Sequence, residues 1–348
     1  MSTLVVLGPL DGNWRRAVCA AAEEAALDVR FGESLATPAL PETDVSAVVL
    51  GGGVESAVRL AEGLRAEARL EKTALLAIDP EVTTAAFVRY LTAGVDDVLP
   101  NPGEAGIVQR LKAAREASLG AVRSLRRGMT LCLGGPPVAA AARARALGSA
   151  GFRVGIEADG AAPWLSERRL ALVVWQPGDA AGALDAVRAA RAEGVLCRFV
   201  LVVGAEQATD LAGACEKLDG VRVLPETSPP DNVVFLVNEM AETTVQNQRA
   251  SRRRLAATLV RFRAGVREDV GLSYNVSAGG LYVRTLAPPG AGPVELSVEI
   301  GKTQAELSCE VAWSRALSHD GTATAPPGFG VKILEATEDA RALLATLG

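Results

Sequence analysis

The sequence predicts two doubly wound α/β domains in tandem, followed by an antiparallel β-barrel with a closing helix. Three observations lead there. Over roughly residues 1–246, short runs of continuous apolar residues alternate with segments of helical spacing. Strands of that kind belong to parallel sheets covered on both faces. The same βαβα plan is laid down twice at similar length, as in a tandem duplication. From about residue 249 the apolar period falls to two with one polar face, the pattern of an antiparallel sheet with one buried side.

The first domain, residues 1–122, has strands at TLVVLG (3–8), DVRF (28–31), VSAVVLG (45–51), TALLAID (73–79) and DDVLP (96–100). Val54, Val58, Ala61 and Leu64 recur at helical spacing between two of them. The second domain, residues 127–230, repeats the plan with MTLCLGG (129–135), FRVGIEA (152–158), LALVVWQ (170–176), FVLVVG (199–204) and GVRVLP (220–225). ALDAVRAARAEG (183–194) supplies one of its helices. Pro229-Pro230 then introduces a linking helix over 231–248, with Val233, Leu236, Val237, Met240 and Thr244 on one stripe. That stripe either packs on the second domain, the more usual arrangement, or forms a dimer seam.

The remainder, 249–348, is expected to be the barrel. In PVELSVEIG, Val294, Leu296, Val298 and Ile300 alternate with polar residues. Leu307, Cys309, Val311 and Trp313 alternate in the same way, which would place all four inside. PPGAG and HDGTATAPPG are turn chemistry. The closing helix starts near Thr337, an N-cap followed by Glu338 and Asp339.

Composition narrows the function. The net charge is −5, which argues against a general nucleic-acid coat and leaves room for a local basic patch. The five cysteines are scattered and form no CxxC, the usage of buried reduced thiols in a cytoplasmic protein. A single histidine, His319, excludes a multi-histidine metal site and weighs against a histidine-based triad. The start, MSTLVVLG, lacks a basic region and reads as a core strand rather than a signal peptide. No apolar run is long enough for a bilayer. These features predict a cytoplasmic protein off the membrane.

AFVRYLTAGVDDVLPNP (86–102) resembles the fourth helix, fifth strand and following loop of two-component receiver domains. A working receiver, by that resemblance, needs carboxylates after its first strand and an aspartate ending its third. It also needs Thr or Ser ending its fourth, and a lysine before a proline after its fifth. Here the first strand ends in Gly8-Pro9-Leu10, with Asp11 beyond it. The third ends in Leu50-Gly51-Gly52, Asp79 stands near the Thr/Ser position, and Asn101 replaces the lysine before Pro102. In the second domain the third strand ends in Val174-Trp175-Gln176 and the fifth in Glu226-Thr227-Ser228. Without the metal-binding carboxylates and the lysine, nothing offsets the charge of phosphoryl transfer. Both domains are therefore expected to be pseudo-receivers that pack and bind partners, with no catalytic residues. Gly51 to Gly53 fits neither GxGxxG nor a phosphate-binding GxxxxGK[ST] loop.

Arg249, Arg252, Arg253, Arg254, Arg261 and Arg263 gather with no acid among them, just ahead of Asn275-Val-Ser277-Ala-Gly-Gly280. A guanidinium fork bridges guanine O6 and N7 or phosphate oxygens, and stacks on purine faces. Asn275 offers donor and acceptor to a guanine edge, Ser277 a hydroxyl, and Gly280 close backbone approach. Arg249-x-x-x-Arg253 followed by the NxSxxG turn, GGLYVRT and the later GFGVKILEATEDARALLATL together resemble the PilZ domain, a bacterial receptor module for cyclic di-GMP. The resemblance covers about 249–348 and implies a six-stranded antiparallel barrel. It assigns Arg249 and Arg253 to phosphates and guanines, and Asn275, Ser277 and Gly280 to the opposite side of the ligand. Arg252 and Arg254 are auxiliary. Ala256 departs from the proline common after the arginines. It implies cyclic di-GMP as ligand, no metal or other cofactor, and an unidentified protein as downstream partner. No helix-turn-helix surrounds the arginines, which argues against DNA. Two functions stay open at this point: a non-catalytic cyclic di-GMP effector, and a nucleotide-independent interaction scaffold on a PilZ-like fold.

Overall fold

The computed structural model describes residues 2–32, 44–119, 127–158, 170–242 and 253–347. They fall into two compact units. One comprises residues 1–120, 250–317 and 326–348, the other 121–249 and 318–325. The architecture is two tandem doubly wound parallel sheets followed by a closed six-stranded antiparallel barrel with a trailing helix.

The first α/β domain runs β1 (Thr3–Leu7), α1 (Gly12–Glu24), β2 (Asp28–Gly32), β3 (Val45–Leu50), α2 (Val54–Arg65), β4 (Ala74–Ile78), α3 (Thr84–Ala93), β5 (Asp97–Leu99) and α4 (Glu104–Ser118). Its parallel sheet has the order β2-β1-β3-β4-β5. β1, β3, β4 and β5 are buried at every position, which is why their sequences lack alternation. β2 is the edge and is largely exposed. Asp11 caps α1 through the N–H groups of Asn13 and Trp14, and Thr83 caps α3.

The second unit contains β6 (Met129–Gly134), α5 (Pro137–Ser149), β7 (Arg153–Glu157), β8 (Leu170–Gln176), α6 (Ala180–Ala192), β9 (Arg198–Val203), α7 (Ala205–Glu216), β10 (Val221–Pro225) and α8 (Asn232–Glu242). The order β10-β9-β8-β6-β7 is the same topology as the first sheet. α6 begins three residues before the expected start because Asp179 caps it. On α8, Val233, Leu236, Val237 and Met240 are buried, and the helix packs on α5, β9 and β10 of its own unit. Thr244 and the rest of the expected helix to 248 lie outside the described residues.

The barrel strands are β11 (Arg254–Leu255), β12 (Leu259–Ala264), β13 (Arg267–Ser277), β14 (Gly280–Arg284), β15 (Gly292–Ile300), β16 (Thr303–Arg315) and β17 (Gly328–Ala336), then α9 (Glu338–Thr346). The sheet runs β13-β12-β15-β16-β17-β14 and closes through β13–β14, with β11 a two-residue addition on β13. Phe262 and Phe329 meet edge to face at 5.1 Å in its core. Ala340 and Leu344 of α9, which Thr337 caps as expected, complete that core.

Within its unit the barrel shares apolar surface with the first α/β domain. Leu259, Val270 and Leu272 join the cluster around Phe87 and Tyr90, and Leu286 joins that around Ile107 and Leu111. Each such side chain contributes about 1.5–3 kcal/mol on burial. The Leu259 N–H donates to Thr84 Oγ1 at 2.9 Å.

At the centre of this contact Arg110 of α4 is 1% exposed between two carboxylates. Its Nε donates to Asp97 Oδ2 at 2.9 Å, and its Nη1 and Nη2 donate to the two oxygens of Asp269 at 2.9 and 2.8 Å. Burial by itself depresses the Arg110 pKa. The carboxylates of Asp97 and Asp269 outweigh it, and the net shift is upward. Burial likewise opposes ionisation of Asp269, but Arg110 and then Arg267 hold its carboxyl below the ordinary value.

Two expectations need correction. Cys19 is exposed on the solvent side of α1, next to buried Val18; the other four cysteines are buried. Burial pushes the thiols of Cys132 and Cys309 up to about 12, so both stay protonated. Trp313 does not join the barrel core but is 41% exposed. A bulge between Val311 and Trp313 puts one extra residue into β16 and turns the indole to the outside.

Candidate functional site

Two rows of residues cross the outer wall of the barrel. In one, Asn275 of β13 pairs with Tyr282 of β14, Tyr282 with Gly330 of β17, and Gly330 with Trp313 of β16. In the next, Ser277 pairs with Gly280, Gly280 with Lys332, and Lys332 with Glu310. Their neighbours Val276, Leu281, Val283, Phe329 and Val331 fill the interior, so by alternation the rows face outward.

A pocket of about 140 Å³ opens on this wall, lined among others by Arg253, Asn275, Ser277, Gly280, Trp313 and Lys332. Among the described residues two cations, Arg253 and Lys332, line it and no carboxylate does. Tyr282 and Trp313 stack at 4.8 Å with their planes 26° apart. Tyr282 is fixed below by its hydroxyl, which donates to the Pro326 carbonyl at 2.7 Å, and by an edge contact with Tyr274 at 5.9 Å. The wall therefore offers cations, the exposed indole of Trp313 backed by buried Tyr282, and polar edges, among them the largely buried Asn275, to one ligand. This suits an anion that carries flat rings.

The NxSxxG turn has clear local causes. Ser277 Oγ donates to the Gly280 carbonyl at 3.1 Å and closes the β13–β14 hairpin. A Cβ on Gly280 would lie 2.1 Å from the Val331 carbonyl oxygen, so only glycine lets β14 approach β17 here. A second bulge, between Ser273 and Asn275, lies just ahead of Asn275 in the pairing of β13 with β14.

Of the residues singled out from the sequence, Arg253, Asn275, Ser277 and Gly280 line one pocket. Arg254 does not line it; its Nη2 donates to the Ala345 carbonyl of α9 at 3.0 Å. Arg249 and Arg252 lie outside the described residues. Trp313, Tyr282 and Lys332 also line the pocket, and neither sequence motif marks them. Tyr282 lies inside GGLYVRT, but its stacking partner is 31 positions away, at a place where strand alternation alone points inward. The available signal was the glycine pair in GFG (328–330): Gly330 leaves a gap beside which two large rings can meet.

The strand ends of the α/β domains are built differently. After β3, Gly51 packs against the first loop so closely that a Cβ would lie 2.6 Å from the Pro9 carbonyl oxygen. There is no room for a phosphate acceptor. Asp11 is engaged as a helix cap, and Asp79 accepts from the Tyr90 hydroxyl at 3.2 Å. Asn101 accepts from the Gly103 N–H at 2.9 Å. At the end of β8, Gln176 accepts from Arg143 at 2.8 Å and donates to Glu226 at 3.3 Å. Among the described residues no group of three or more His, Cys, Asp or Glu converges as a metal site. No described helix is long and apolar enough to cross a membrane.

No protein-family model matches the chain, and no curated protein does. Among solved structures it is similar to the Bacillus subtilis inhibitor of motility, at 21% identity over 28% of this chain and 47% of that one, with a TM-score of 0.24. It is also similar to the Borreliella burgdorferi PlzA protein, solved in complex with c-di-GMP, at 11% identity over 34% and 48% with a TM-score of 0.22. A third is the E. coli RcsC C-terminus, containing a linker region and a phosphoreceiver domain, at 13% identity over 71% and 96% with a TM-score of 0.29. The chain spans about half the length of the first two. At these identities and TM-scores the functional reading rests on the chain's own residues.

Proposed function

We propose that this chain is a non-catalytic cytoplasmic effector. It binds cyclic di-GMP on the barrel wall and relays that event to a protein partner through its two α/β domains. The observation that carries the reading is the shared pocket: Arg253 of the RxxxR stretch meets Asn275, Ser277 and Gly280 of NxSxxG, the motif pair by which the segment resembles PilZ domains.

The chemistry fits the ligand. Cyclic di-GMP presents two phosphates, two guanine edges and flat ring faces. Arg253 and Lys332 meet negative charge, Asn275 reads a guanine edge, and the Trp313–Tyr282 stack offers a face for a base. Charge-assisted bonds of about 1.5–3 kcal/mol each, three or four in number, support roughly micromolar affinity after ordering costs. A pocket of about 140 Å³ is smaller than the ~300 Å³ at which enclosing ligand sites begin, so the nucleotide would lie along the wall rather than be engulfed.

Isothermal calorimetry of the full chain with cyclic di-GMP tests this, with cyclic di-AMP as control. Saturable heat that is lost in Arg253→Ala supports the effector. A flat titration of folded wild-type protein sinks it and leaves the scaffold reading, in which the domains act by protein contact alone. Incubation with labelled acetyl phosphate is expected to leave the protein unlabelled.

A further inference from the structure

The β13–β14 hairpin has two functional ends. Its tip carries Asn275, Ser277, Gly280 and Tyr282 of the proposed nucleotide site. Its base is held in the buried ion cluster. Asp269 of β13 takes both Nη groups of Arg110. Just past the end of β14, the Thr285 hydroxyl and the Leu286 N–H donate to Asp97 Oδ2 at 3.0 and 2.6 Å. Asp97 is also the acceptor of Arg110 Nε, so one guanidinium and its two carboxylates grip both strands of the same hairpin. Arg267 adds a third hold: its Nη2 donates to Asp269 and to the Ala287 carbonyl, both at 2.6 Å.

We propose that Arg110, in the first α/β domain, is a positioning residue for the cyclic di-GMP site at the far end of this hairpin. The inference rests on the function proposed above. From Asp269 to Asn275 is six residues of one strand, about 20 Å at roughly 3.3 Å per residue. Along that path lies the bulge between Ser273 and Asn275. At a bulge one residue is left unpaired and the ladder is locally interrupted, and a one-residue slip there turns every later side chain of that strand to the other face. Such a slip would carry Asn275 and Ser277, both on β13, off the outer wall together. Two features oppose it at the base. The carboxylate of Asp269 is bound in a bidentate grip that tolerates little sliding. The Leu286 N–H and Thr285 hydroxyl lock the partner strand to the same cluster. A rigid base and a soft bulge make the tip's geometry depend on a residue that touches no ligand. The dependence is reciprocal, because any coupling of affinity to the state of the cluster acts equally in the other direction.

The test uses the full chain as Arg110→Lys, which keeps the charge but loses the fork, and as Thr285→Val, which loses one hydroxyl. Two readouts are needed. Amide hydrogen exchange of the ligand-free proteins is expected to accelerate at Val276 to Leu281 in both variants, while the interior strands β15 and β16 keep their wild-type rates. Calorimetry is expected to show cyclic di-GMP affinity reduced about 10-fold in Arg110→Lys and less in Thr285→Val. In the wild type, the ligand is expected to slow exchange at Leu286. Wild-type exchange rates at the tip in both folded variants overturn the proposal, whatever the calorimeter shows. If the wild type binds no cyclic di-GMP, the functional reading fails separately, and exchange at the hairpin tip still decides whether Arg110 positions it. Should Arg110→Lys not fold, Thr285→Val carries the same two readouts.

Discussion

Tyr282 and Trp313 lie face to face at 4.8 Å because Gly330, paired with both across the barrel wall, has no side chain to separate them. A Cβ at Gly330 would come within 2.6 Å of Trp313 Nε1. The aromatic plate thus depends on a residue that contributes no atoms to it.

If the chain binds cyclic di-GMP as proposed, Trp313→Ala is expected to weaken that binding by about 5- to 150-fold, the equivalent of ~1–3 kcal/mol for one lost base stack. The indole is 41% exposed, so the melting temperature should change little. Gly330→Ala should lower affinity in the same direction by tilting the indole. Ligand-induced change in tryptophan fluorescence, compared between wild type and Gly330→Ala, reports whether the stack meets the ligand.

Gly280→Ala attacks the fold rather than the ligand. Its methyl would stand 2.1 Å from the Val331 carbonyl oxygen, a backbone atom that can move only with β17. The expected cost is about 1–3 kcal/mol, as for other overpacked sites. Urea unfolding measures it, and a variant as stable as the wild type would contradict the close approach of β14 to β17.

Acid should weaken the unit that holds the barrel in a way traceable to Asp269. Burial opposes its ionisation, but Arg110 and then Arg267 hold its carboxyl below the ordinary aspartate range. A depressed folded pKa means that the contribution is complete above the unfolded value and is lost as pH falls through the folded one. Stability should therefore drop with a slope of up to about 1.4 kcal/mol per pH unit for this proton, beginning near pH 4 and continuing below it. Asp269→Asn should be less stable at neutral pH and should lack that component. Urea midpoints from pH 7 to pH 3 for both proteins make the comparison.

Gly51→Asp would restore an aspartate at the end of the third strand without restoring a receiver. A Cβ there meets the Pro9 carbonyl oxygen at 2.6 Å, and Asp11, the carboxylate beyond the first strand, is engaged as a helix cap. Acetyl phosphate is expected to leave it unlabelled, and the protein should melt earlier than wild type.

Helical and strand periodicity, caps and turn residues act over a few positions, and they were legible without coordinates. β8 runs from Leu170 to Gln176 as read from its apolar run, and Thr337 caps α9 through the Ala340 N–H at 3.1 Å. The absence of an acceptor at Gly51 is likewise written in the chain itself. So is the succession of two wound sheets and a barrel, because each period reports which faces of a segment are buried.

Tertiary structure alone decided which distant residues meet. The bulge that turns Trp313 outward exists only in the pairing of β16 with β17, so the alternation Leu307, Cys309, Val311 pointed the wrong way for the next residue in the series. Arg110 and Asp269 stand 159 positions apart, and neither is marked by any local pattern. Their bond arises because α4 and β13 pack together in one unit, where low polarity makes an unpaired charge costly and a bidentate pair the stable solution. Local propensity is a property of neighbours in the chain; a site assembled across a barrel wall is a property of neighbours in space.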